Sequence, residues 1–389
     1  MTLTMTEVGL SVLFRERFGL VEGRSIGLIT NQTGIDPQFR RNLTLFAEHP
    51  KVELAAIFSP EHGISGSAQA GTQIASAIGK GRQIPIYSLY GETRQPTPKM
   101  LAGIDVLMYD VQDIGARFYT YISTLLRSMK AAAANNVDFI VLDRPNPIRG
   151  DRVEGNVLQP AFQSFVGEMA IPVRHAMTVG ELAQFCRAEL DSAPSPRLHV
   201  VPMDGWQRRM WYDQTGLPWV PPSPNMPTVE TATLYPGTCL IEGTNLSEGR
   251  GTTKPFEWIG APWIDPARWA DMLNSLELPG THFRAIHFTP TFSKYANHEC
   301  HGVQVHVTNR NHFKPIDVAL HLITTAQRNY LDHFEFLKTR GRYFFDLLAG
   351  TDELRLKLTK HDSPTEIVQS WEAEVTKFTE QGRPYLLYD

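Results

Sequence analysis

This chain has no run of basic residues, no apolar stretch of membrane-spanning length, no nucleotide-binding glycine motif and few cysteines. The three cysteines, Cys186, Cys239 and Cys300, are an odd number without framework spacing, so free thiols in a reducing compartment are expected. A net charge of −4 with no Lys/Arg cluster argues against nucleic acid and anionic membrane surfaces as partners. No apolar run approaches the roughly 18 residues of a membrane span, so no membrane insertion is expected. Residues 1–8 lack a basic segment followed by an apolar one, and the chain as given reads as cytoplasmic. A periplasmic or secreted location would require a leader trimmed from this sequence. Neither G-x-G-x-x-G nor a Walker A loop follows any predicted strand, so no cofactor is expected. The chain likewise has no G-x-S-x-G and no Cys/His nucleophile signature.

What the chain does have is length and a repeating texture. Its 389 residues exceed one ordinary core, so two domains are expected. Hydrophobic content of 42% with 20% charged residues belongs to a globular protein. Short apolar strands are predicted at 26–30, 52–58, 84–89, 106–110 and 139–143, with helices at 8–20, 42–49 and 120–135. That alternation predicts an α/β fold, Rossmann-like, with a mainly parallel sheet and helices on both faces. Residues 1–160 form this domain, with an extension to about 265 through a segment rich in Pro, Gly and Trp. Residues 161–389 hold that loop-rich segment and a smaller α+β domain, with the active site in the cleft between. Within them a helix is predicted at 178–188, strands at 287–292 and 302–308, and helices at 315–330 and 363–381.

Five strand ends carry Asn31, Glu61, Glu92, Asp110 and Asp143, and on a shared parallel sheet they would converge on one crevice. The sharpest is the stretch Ile57–Gly66. Pro60 ends a strand there, and Gly63 and Gly66 turn the chain so that Glu61 and His62 are presented at the carboxyl edge. Two carboxylates flanking a bond can divide glycoside hydrolysis between acid and base or nucleophile, which singles out Glu61 and Glu92. The bland alternative is that strand-end acids cap helices and bind loop amides, and it applies equally to Asp110 and Asp143. His62 and His175 are candidates for hydrogen bonds to a ligand or for tuning a carboxyl, although a lone histidine is more often a hydrogen-bonded structural residue. Residues 244–256 supply amide donors, Asn245, Glu248, Arg250 and Lys254, a set suited to an anionic, hydroxyl-rich ligand. His298-Glu299-Cys300-His301 matches no standard zinc spacing, and neighbours on a strand face opposite ways, so no metal is expected.

Several longer motifs carry a resemblance. Residues 58–63 (Phe-Ser-Pro-Glu-His-Gly), 109–121 (Tyr-Asp-Val-Gln-Asp-Ile-Gly-Ala-Arg-Phe-Tyr-Thr-Tyr), 142–147 (Leu-Asp-Arg-Pro-Asn-Pro), 222–227 (Pro-Ser-Pro-Asn-Met-Pro) and 242–252 (Glu-Gly-Thr-Asn-Leu-Ser-Glu-Gly-Arg-Gly-Thr) resemble those of the DUF1343 family. The resemblance runs from about residue 20 to the carboxyl terminus. It implies a glycoside hydrolase that removes β-1,4-linked N-acetylmuramic acid from the non-reducing end of peptidoglycan fragments such as disaccharides or muropeptides. It also implies a site between a Rossmann-like and a smaller domain, and by motif position Glu61 and Glu92 become its catalytic carboxyls. His62, Asp110, Arg117, Tyr119, Asp143, His175, Asn245, Glu248, Arg250 and Lys254 become substrate-binding candidates. The lactyl carboxylate of such a sugar needs a cationic clamp, for which Arg250, Lys254 and Arg117 are the candidates, with Arg250 favoured for its bidentate geometry. Ala176 departs from the pattern, where Gly is expected. Family members are often exported, which stands against the cytoplasmic reading. The competing readings are a metal-dependent amidase or deacetylase on the same sugars and a non-catalytic muropeptide-binding module.

Overall fold

The computed structural model describes residues 5–69, 72, 77–78, 84–189 and 197–389. Residues 1–4 of the amino-terminal stretch weighed above lie outside that range. The first sheet is built from β1 (Ser25–Thr30), β2 (Glu53–Ser59), β3 (Ala77–Ile78), β4 (Pro85–Ser88), β5 (Val106–Asp110) and β6 (Asp138–Leu142). A separate small ribbon follows, β7 (Glu154–Val157) with β8 (Pro172–Arg174), and β9 (Leu198–Val201) returns to complete the main sheet. Its order is β3-β4-β2-β1-β5-β6-β9, all parallel except the edge strand β3. Both β5 and β6 are buried along their whole length, as strands covered on two faces must be, which is why they read as unbroken apolar runs. The order steps outward from β1 in one direction and then from β5 in the other. The crevice beyond the carboxyl ends of β1 and β5 is therefore the topological switch point of a doubly wound sheet.

The expected α/β, Rossmann-like architecture is present. Because β9 lies at 198–201, the sheet draws on chain well past residue 160. The loop-rich segment contains a helix, Val229–Thr238, that sequence periodicity does not reveal. Every residue from Thr231 to Thr238 is buried, so the helix has no polar face to set against an apolar one. Beyond it, β10 (Trp258–Ala261), β11 (Thr281–Phe288) and β12 (Cys300–Val307) form an antiparallel sheet in the order β10-β12-β11. Helix Pro266–Asn274 packs on it, and helix Pro315–Asn329 packs in turn on that helix and on Val229–Thr238. A tight hairpin, β13 (Lys338–Thr339) and β14 (Arg342–Tyr343), follows.

Three element boundaries differ from expectation. The strand predicted at 287–292 instead spans Thr281–Phe288, ending before Pro290, which cannot extend a ladder. The final helix divides into Pro364–Gln369 and Glu372–Gly382 around the buried Trp371. At the amino end, Gly9–Val12 is α-helical and then widens into a π turn over Leu13–Arg17.

Candidate active site

A cavity of about 660 Å³ opens between the parallel sheet and the carboxyl-terminal part of the chain. Strand β2 delivers Glu61 and His62 to it. The chain turns with His62 at φ 71°, Gly63 at 78° and Gly66 at 66°. A Cβ on Gly66 would lie 2.1 Å from the Gln32 amide and displace it, and the positive φ there disfavours any side chain. Glu61 is 6% exposed, and its Oε2 accepts a hydrogen bond from the Thr120 hydroxyl at 2.5 Å. Thr120 sits where the helix Tyr121–Ala134 begins, so the start of that helix positions the carboxylate. The Tyr90 phenol lines the same cavity near Glu61; burial and that neighbouring carboxylate push it up to about 12. The His62 Nδ1–H donates to the Ala68 carbonyl at 2.7 Å, leaving Nε2 as an acceptor. Burial lowers the His62 pKa against the pull of Glu61, so this imidazole is neutral at pH 7.

The carboxyl-terminal part contributes Tyr235, Cys239, Glu242, Arg250 and Phe256 to the same cavity. Arg250 donates to Glu242 at 2.8 Å, approaches Glu248 at 3.4 Å and lies over the Phe256 ring at 4.9 Å. Burial opposes its charge, but Glu242 and Glu248 outweigh that and raise its pKa above the ordinary value. Glu248 is buried behind it, and Lys294 at 3.0 Å and Arg250 together hold its carboxyl below the usual range despite burial. The result is a row of alternating charges in which Glu242 faces the cavity. The Cys239 thiol, held protonated by burial, lies 3.7 Å from Glu242. Tyr119 completes the wall, edge-on to Tyr121 and Tyr235 at ring separations of 4.9 and 5.8 Å. At the mouth, Arg94 stacks over Phe165 at 4.3 Å, and Arg340 and Arg342 project from the β13–β14 hairpin. Among the described residues these three arginines have no carboxylate within ion-pair distance.

The cavity thus gathers Glu61, His62, Tyr119 and Arg250 from the sequence-derived set, with Glu248 directly behind. The other candidates lie elsewhere. Glu92 is exposed on the loop after β4 and does not line the cavity. Asp110 is fully buried at the switch point, where it pairs with Arg144 at 2.6 Å and Asn42 at 2.7 Å. Asp143 accepts hydrogen bonds from the Gly180 amide and the Thr178 and Tyr388 hydroxyls, fixing the helix Val179–Glu189 and the chain terminus. Arg117 is 1% exposed and spends its guanidinium on the carbonyls of Asn156, Ile171, Leu348 and Ala349. His175 is buried with Nε2 3.7 Å from Asp113. Its neighbour Ala176 has φ 59°, the left-handed conformation that favours the Gly expected there. Asn245 ties the backbone of His333 and Glu335, and Lys254 pairs with Glu257 at 3.0 Å. Residues that sequence reasoning passed over include Tyr90, Arg94, Thr120, Glu242 and the hairpin arginines. Glu242 stood in a quoted motif, but only its contact with Arg250 marks it out.

A doubly wound domain and a smaller one thus enclose a cavity lined by two carboxylates together with aromatic and cationic side chains. Two family models, the N-terminal and C-terminal parts of the exo-β-N-acetylmuramidase NamZ, match residues 26–230 and 233–388. The chain belongs to this family and is a glycoside hydrolase. It is 47% identical over 382 residues to the peptidoglycan β-N-acetylmuramidase NamZ of Bacillus subtilis, covering 98% of this chain and 91% of that one. Two crystal structures of DUF1343 family proteins from Bacteroides fragilis superpose with TM-scores of 0.91 and 0.78 at 38% and 31% identity. Each comparison covers 99% of both chains. No helix among the described residues is long and apolar enough to cross a membrane.

Proposed function

We propose that this chain is an exo-acting muramidase that removes β-1,4-linked N-acetylmuramic acid from the non-reducing end of peptidoglycan fragments, with Glu61 and Glu242 as its working carboxylates. The observation that carries the pairing is that these two side chains, one from each part of the chain, line a single cavity of sugar size, whereas Glu92 lies outside it. Glu61, positioned by the Thr120 hydroxyl, shares the acid and the base or nucleophile roles with the second carboxylate. Glu242, held by Arg250, is the second carboxylate of the reaction. The acceptor Nε2 of His62 suits a sugar hydroxyl.

The lactyl carboxylate is assigned to the mouth arginines. Arg250 is already matched by two acids, while Arg94 and Arg342 carry charge that a substrate carboxylate can meet. The test is release of para-nitrophenol from the β-N-acetylmuramide with the β-N-acetylglucosaminide run in parallel. The reading expects turnover of the muramide and little of the glucosaminide. Equal turnover of both would remove the lactyl assignment, and turnover of neither would remove the muramidase.

A further inference from the structure

Away from the cavity, β11 and β12 place His287 directly opposite His301, with ring centroids 4.8 Å apart. Glu299 is the loop residue just before β12, two residues ahead of His301, and its carboxylate reaches the same pair of rings. The quartet 298–301 alternates faces and offers no closed ligand set by itself; the third ligand comes from the facing strand. One nitrogen or oxygen from each of the three residues falls within 4.8 Å of the others, and His287 Nδ1 is 3.5 Å from Glu299 Oε1. That edge already matches a tetrahedron built on metal–ligand bonds of about 2.0–2.2 Å. His301 Nδ1 lies 3.3 Å from the Ile264 carbonyl, an arrangement in which Nδ1–H donates and Nε2 is left free to coordinate. Metal-binding histidines are oriented by such a second bond. The His287 and Glu299 side chains are 61% and 64% exposed, so they can close the remaining gap by rotation alone.

We propose that His287, Glu299 and His301 form a binding site for a divalent transition metal of the zinc class, with its remaining position open to water. Two imidazoles and one carboxylate select zinc, nickel or copper over calcium and magnesium, which prefer oxygen ligands. The three ligands close the neck of the 289–299 loop that joins the two strands. That loop carries Lys294, whose ammonium bonds Glu248 and the carbonyls of Ile241 and Leu246. It also carries Thr291, whose amide and hydroxyl dock on the Gly251 carbonyl. A metal at the neck therefore braces the support behind the Glu242–Arg250–Glu248 row without entering the cavity.

The test uses the full chain without a histidine tag, stripped by chelator and titrated with zinc chloride by calorimetry. One saturable site is expected, weakened by more than about tenfold in His287→Ala and in Glu299→Ala. A second readout is unfolding: zinc at a hundred times its Kd shifts the folding equilibrium of the parent protein by about 100-fold. The two variants, altered only at exposed side chains, should fold normally without zinc and lose that shift. Absence of a saturable site at millimolar zinc, or undiminished binding in His287→Ala, would overturn the proposal.

Discussion

Replacing Arg250 with methionine keeps the length of the side chain and removes its charge. In the folded protein Arg250 is 14% exposed and lies between Glu242, 19% exposed, and Glu248, 3% exposed. Removing one partner from a buried pair costs about 3–5 kcal/mol, because the remaining charge is left without compensation. Here Glu248 keeps Lys294 at 3.0 Å and Glu242 has the water of the cavity, so the lower end, about 3 kcal/mol, is expected. Urea unfolding monitored by tryptophan fluorescence reads this as a lower midpoint at unchanged slope. Adding Glu242→Gln removes one of the two abandoned charges and should return about 1 kcal/mol, a coupling within the range of contacting residues. A loss below about 1 kcal/mol for Arg250→Met, the range of exposed pairs, would refute the reasoning. So would strict additivity in the double variant.

Arg117→Met should destabilise the fold by about 3 kcal/mol or more, since four buried carbonyls lose a charged donor. A mild effect on stability with a large rise in KM would instead restore Arg117 as a substrate clamp. Arg94→Ala and Arg342→Ala should each raise KM for the muramide by roughly tenfold, and leave unfolding midpoints unchanged, because one exposed charge-assisted contact is lost. Burial lowers the His62 pKa, so below about pH 6.5 the unfolded chain takes up a proton that the native imidazole resists. Stability is therefore lost as pH falls through that value, and His62→Gln should lose less than the parent protein, measured as urea midpoints at pH 7.5 and pH 5.

How much of this was legible in the sequence follows from which residues face what. Strands β5 and β6 announce themselves because both faces are covered, and Glu61 because a proline and two glycines turn the chain at a strand's carboxyl end. The helix Val229–Thr238 is silent because it is buried all round. The strand-end acids Asp110 and Asp143 share the position of Glu61 but are consumed by Arg144, Thr178, Gly180 and Tyr388. Periodicity cannot distinguish a carboxylate that faces a cavity from one that fixes a helix. Glu242 and the hairpin arginines become visible only when chain segments far apart in sequence meet. Arg117 shows the converse, a charged residue in a functional-looking motif that serves the backbone.

Glu61 and Glu242 work from one cavity while Glu92 stands outside it, and kcat/KM on the chromogenic β-N-acetylmuramide tests this most directly. Glu61→Gln should fall by about 10²–10⁴-fold, the usual worth of a positioned acid or base, and Glu242→Gln by a comparable factor, both with native circular dichroism. Glu92→Gln should remain within a few-fold of the parent enzyme. Near-parental rates for Glu61→Gln, or a collapse in Glu92→Gln with Glu242→Gln unaffected, would contradict the assignment.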